Sequence, residues 1–111
     1  MLRTMNAHHF QVDKLSKFSI HLEELFSDLH CGGQDAPPPE LADEIAATAG
    51  EIMLLLADHG DDALVRATLD DARRLREAAR TLRPQRAQLV AAGTALTYDV
   101  ARIIREEKRA A

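Results

Sequence analysis

The chain has 111 residues, 46% apolar and 29% charged, which is too apolar for disorder and sized for a single domain, 1–111. It contains no Trp, one Tyr, three Phe and one cysteine, Cys31, so the core must be aliphatic and both an intramolecular disulfide and a multi-cysteine zinc site are excluded. The net charge of −4 is split: residues 1–62 hold 12 acidic and 3 basic residues and residues 63–111 hold 6 and 11, as expected of two halves that neutralise each other or of a charged partner.

Residues 1–6 are expected as a flexible tail, with Asn6 capping a first helix over about 7–30. Leu15, Phe18, Leu22, Leu25, Phe26 and Leu29 recur at helical spacing and form one apolar stripe. Cys31-Gly32-Gly33 should end that helix, and 31–37 reads as a loop. A second helix is expected over about 38–59, opened by prolines whose missing N–H groups cost nothing in a first turn. Its stripe is Leu41, Ile45, Ile52, Leu55 and Leu56, and Gly60 ends it.

A third helix follows over about 62–82, with Asp61 as cap and Leu64, Val65, Thr68, Ala72, Leu75, Ala79 and Leu82 inward. Pro84 disfavours a helical Arg83, which predicts a break, or a kink within one continuous helix 3–4. A fourth helix over about 84–108 turns Leu89, Leu96, Val100, Ile103 and Ile104 inward, and Gly93 on that stripe invites a close neighbour. Nothing alternates with period two for long enough to make a strand. The fold class expected is therefore all-α, an antiparallel bundle of about four helices joined by short links.

Helix 2 has apolar surface left over. Beyond its stripe lie Ala42, Ala46, Gly50, Met53 and Ala57, with Leu54 at the edge, and only Glu40, Glu44, Glu51 and Asp58 make a polar band. A helix that is apolar nearly all round needs cover on most sides. Helix 2 is either central within the monomer or, the arrangement expected here, the face through which the bundle dimerises or meets a partner. Ile20, opposite the stripe of helix 1, is a smaller candidate contact.

Chemistry-bearing patterns are sparse. His21 and Glu24 share a helix face, but the Glu-x-x-His order of di-iron bundles is reversed, has no second copy, and finds no clear carboxylate on the inner stripes of helices 3 and 4. His30 and His59 sit at helix ends, and His8-His9 at most binds metal adventitiously, so no metal and no cofactor is expected. Cys31 has His30 beside it only in sequence, and a helix C-terminus raises a thiol pKa, so no nucleophile is assigned and the chain is not expected to be an enzyme. Arg76, Arg80, Arg83 and Arg86 are the least neutralised part of a basic run in which Arg66–Asp70 and Arg73–Glu77 are expected to pair. They form a candidate patch for an anionic partner.

The N-terminus lacks the apolar segment of a signal peptide, and the longest apolar run, Ile52 to Ala57, falls far short of the ~20 residues of a membrane span, so a cytoplasmic location is expected. The high Arg-to-Lys ratio and abundant Ala suggest a GC-rich bacterial genome. The function expected is that of a small helical regulator or adaptor working by protein–protein contact, as a homodimer and, in one form, as a sequestering inhibitor of a transcription factor. A nucleic-acid binder using the Arg73–Arg86 segment is the alternative, and a metal- or small-ligand-binding bundle the second alternative.

Overall fold

The computed structural model describes residues 2–31 and 37–110, and the side chains of 12–30 and 37–109. Among the described residues there are four α-helices, α1 (Leu2–Cys31), α2 (Pro39–Leu56), α3 (Ala63–Ala79) and α4 (Arg86–Ala110), with a 3-10 turn, Ala57–His59, after α2. Among the described residues there is no strand, and no helix is long and apolar enough to cross a membrane. The helices close into a ring: α1 packs on α2, α2 on α3, α3 on α4 and α4 on α1.

Local chemistry sets the helix ends. Pro38 precedes α2, and its carbonyl accepts from Leu41 N and Ala42 N at 3.1 Å each, while Pro39 occupies the first turn. α2 stops at Leu56, earlier than expected, by tightening into the 3-10 turn, and Gly60 beyond it has φ −69°, an ordinary right-handed value. Asp62, not Asp61, caps α3: its Oδ1 accepts from Leu64 N at 2.8 Å and Val65 N at 3.3 Å. α3 ends at Ala79, and Thr81 Oγ1 donates to the otherwise unpaired Ala78 carbonyl at 3.0 Å. Residues 80–85 are irregular, so α3 and α4 are separate helices, with Pro84 outside both. α1 begins at Leu2, so the stretch expected as a tail is helical from that residue on, and Asn6 lies inside the helix and not at its cap. Of the expected loop, Cys31 is the last residue of α1 and 32–36 lie outside the described residues.

The core follows the predicted stripes. Leu15, Leu22, Ile45, Ile52, Leu75, Leu89, Leu96 and Val100 are fully buried. Thr48 and Thr68 are buried as well, and each hydroxyl is satisfied by donating at 2.8 Å to the carbonyl four residues back, Glu44 O and Leu64 O. Gly93 faces the Phe26 ring so closely that a Cβ there would overlap Cζ, Cε2 and Cε1, which lets α1 and α4 approach each other with the ring between them. At one end of the ring Val12 and Leu15 gather with Leu56, Val65 and Ile103; at the other, His30 lies with Arg86 and Val90. Leu82, assigned to the core from its spacing, is 97% exposed, because α3 has already ended three residues before it.

Candidate interaction surface

The second face of α2 is divided by the fold. Ala42 and Ala46 are 3% and 4% exposed, hence inside the single chain, and Gly50 and Met53 are half-buried. A Cβ built on Gly50 would lie 3.9 Å from Arg76 Cδ, so this side of α2 faces α3. Ala42 and Ala46 are thus covered within the chain, and Gly50 lies beside the Arg76 side chain of α3. Only Leu54, 72% exposed, and Ala57 still point outward, with Glu51 and Asp58 close by in sequence and also exposed. Ile20 is 57% exposed on α1 and remains a lone apolar residue on a polar face.

The basic segment is divided too. Arg76 packs toward Gly50 of α2, and Arg73 turns to Asp70 in the preceding turn where Glu77 was expected. Arg80 and Arg83 are exposed, and Arg83 and Arg86 line a groove of about 680 Å³ floored by Pro84, Ala87 and Val90, with His30 opposite. Arg80, Arg83 and Arg86 thus follow one another along the chain through the α3–α4 turn, with the exposed Leu82 between Arg80 and Arg83 in sequence.

The opposite end of α3 has inverse charge. A cleft of about 390 Å³ lies over Val12, Leu15, Leu56, Val65 and Ile103. Asp58, Asp61, Asp62 and Glu107 line it together with His59, and none of its described lining residues is Lys or Arg. Local chemistry explains part of this, since carboxylates suit a helix N-terminus and cations a C-terminus. Capping α3 needs only Asp62.

One polar site was not read from the sequence. Asp71 of α3 meets Asp99 of α4 across the helix contact, although neither helix was expected to bring a carboxylate inward. Burial, with the hydrogen bond to Asp99 and the charge of that group, pushes the Asp71 carboxyl up to about 7 from the ordinary 3.8, while Arg74 pulls the other way and Asp70 adds to the rise. Asp71 Oδ2 is enclosed without a hydrogen-bond partner, and Arg102 Nη1 lies 3.9 Å from Asp99 Oδ1. Asp71 therefore holds its proton close to neutrality, as a carboxyl crowded by a second one does. The readable signal was position: Asp71 precedes core Ala72 and Asp99 precedes core Val100, at the stripe edges that face a neighbouring helix.

The remaining candidates are ordinary surface groups. His21 Nε2 lies 3.2 Å from Glu44 Oε2 of α2 and Nδ1 lies 3.7 Å from Glu24 Oε1, and all three side chains are open to solvent. Among the described residues no group of three or more His, Cys, Asp or Glu is spaced to hold a metal ion. The side chains of His8, His9 and Cys31 lie outside the described residues. Set against protein families, curated proteins and solved structures, the chain matches none of them.

Proposed function

We propose that this chain is a small helical adaptor or regulatory protein that works by contact with another protein. The observation that carries the reading is Leu82, 97% exposed in a turn between Arg80 and Arg83. A large apolar side chain held out among cations is costly in water and suits a partner offering an apolar slot with an acidic rim. Pro84 fixes one backbone torsion of that turn, which reduces the entropy lost on docking. A sequestering inhibitor that covers an acidic, amphipathic surface of a transcription factor is one form of this reading.

The reading moves the contact from α2 to the α3–α4 turn, because Ala42 and Ala46 are already covered by the chain itself. We read the ring of helices as up-down-up-down. Support comes from the residues that share each end: Val12 of α1 with Ile103 of α4, Leu56 of α2 with Val65 of α3, and His30 with Arg86. That order sets the Leu82 turn and the acidic cleft at opposite ends of α3.

Affinity capture from the native host tests the proposal, with wild type, Leu82→Glu and Leu54→Glu compared side by side. All three should fold alike, since both sites are exposed. A protein held by wild type and Leu54→Glu and lost with Leu82→Glu is the expected result. An identical set of captured proteins for all three overturns the reading.

A further inference from the structure

We propose that the α3–α4 turn of one molecule docks into the acidic cleft of a second copy of the same chain, joining molecules end to end. The inference rests on the reading of this chain as one that works through protein contact, and it names the partner. The turn offers Leu82 as an exposed apolar side chain, with Arg80 and Arg83 beside it in sequence and Arg86 at the start of α4. The cleft offers about 390 Å³ over an aliphatic floor, room for one leucine side chain, under a rim of Asp58, Asp61 and Asp62. Knob and slot thus match in shape, and their charges are opposite.

The two features stand at the two ends of α3, whose 17 residues span about 25 Å. One molecule can therefore use both at once without its partners colliding. A contact between two different patches of one chain is heterologous, and unless the rotation happens to close a ring it builds open chains. The division of charge between residues 1–62 and 63–111 fits this arrangement: the acidic rim comes mainly from the end of the first segment and the cations come from the second. Helix-dipole chemistry alone accounts for some acid at the start of α3 and some base after its end. It accounts neither for Asp58 and Asp61 in addition to the capping Asp62, nor for a leucine left in solvent among arginines.

The test is sedimentation velocity on the full chain, with reductant present so that Cys31 cannot cross-link molecules, from about 10 µM to about 1 mM. The average mass should climb with concentration past the dimer, and the climb should weaken as salt rises from about 0.05 to about 0.5 M. Leu82→Glu blocks the turn; Asp58→Arg with Asp61→Arg blocks the cleft and spares the capping Asp62. All three positions are exposed, so both variants should keep the wild-type melting curve. Leu82→Glu should associate about 10- to 100-fold more weakly than wild type, the loss expected from burying one leucine less, and the cleft variant should also weaken because its arginines repel those of the turn. Mixed in equal amounts they should form a discrete dimer, because each retains one intact end. A wild type that stays monomeric throughout, a plateau at a dimer that both variants still form, or a mixture that stays monomeric each overturns the inference. Capture of a different host protein, lost with Leu82→Glu, alongside a monomeric wild type would sink end-to-end docking and leave the adaptor reading standing. Chain formation with no such host protein would do the reverse.

Discussion

Replacing Gly93 by alanine adds one methyl group at the tightest contact between α1 and α4. In an open helix the exchange stabilises by about 1 kcal/mol, because glycine loses more backbone freedom on folding. Here the new Cβ would lie within 3.0 Å of three atoms of the Phe26 ring, and a ring cannot bend aside as a flexible chain does. The ring must swing out of the α1–α4 groove that it shares with Val90 and Thr97. A fully buried phenylalanine contributes up to about 3 kcal/mol, and Phe26 is half-buried, so expulsion with repacking costs about 2–3 kcal/mol. The net effect of Gly93→Ala is a loss of about 1–2 kcal/mol, a fall in Tm of about 4–8 °C for a domain of this size. Urea or thermal melts of a double-mutant cycle isolate the cause. With Phe26→Ala in place the clash is gone, and Gly93→Ala should then stabilise by about 0.5–1 kcal/mol. The same effect in both backgrounds, or a gain in the presence of Phe26, would refute the reasoning.

Further expectations follow from other sites. The folded chain holds the Asp71 proton to about pH 7 and the unfolded chain only to about 3.8, so this group makes stability fall as pH rises across that window. Asp71→Asn should remove that decline and be more stable than wild type by about 1–2 kcal/mol above pH 7, after allowance for solvent screening at a half-exposed group; equal pH profiles for the two proteins would contradict a raised Asp71 carboxyl. Asp62→Ala removes the acceptor for Leu64 N and Val65 N and should cost about 1 kcal/mol in chemical denaturation, whereas Asp61→Ala should cost little. Ala46→Glu forces a carboxylate into the α2–α3 contact and should abolish the cooperative melt, while Leu54→Glu should leave it unchanged; a well-folded Ala46→Glu protein would mean that this face of α2 is open after all.

Helical spacing was enough to find all four helices and most of the core. Leu22, Ile45, Leu75 and Val100 are buried because residues three and four apart share a face, and that geometry needs no knowledge of the neighbours. What spacing cannot say is which neighbour covers a second face. Ala42 and Ala46 were open to two readings because alanine packs equally well against a helix of its own chain or of another, and the choice depended on where α3 lies. Leu82 continues the α3 stripe in register, yet it is outside the helix, because the chain breaks before Pro84 and the stripe has no backbone to carry it inward. Asp61 and Asp62 are equivalent as caps on paper, and the early stop of α2 in a 3-10 turn decided between them. The Asp71–Asp99 pair required the register between α3 and α4, a tertiary property that neither helix carries by itself.

Amide spectra of the labelled full chain, recorded on dilution from about 1 mM to about 20 µM, test most directly whether contact runs through the two ends of α3. Resonances of Thr81 to Arg86 and of Asp58 to Val65 should move together with concentration, and those of Ile20 and Leu54 should stay still. Spectra independent of concentration, or changes centred on Leu54 or Ile20, would contradict it.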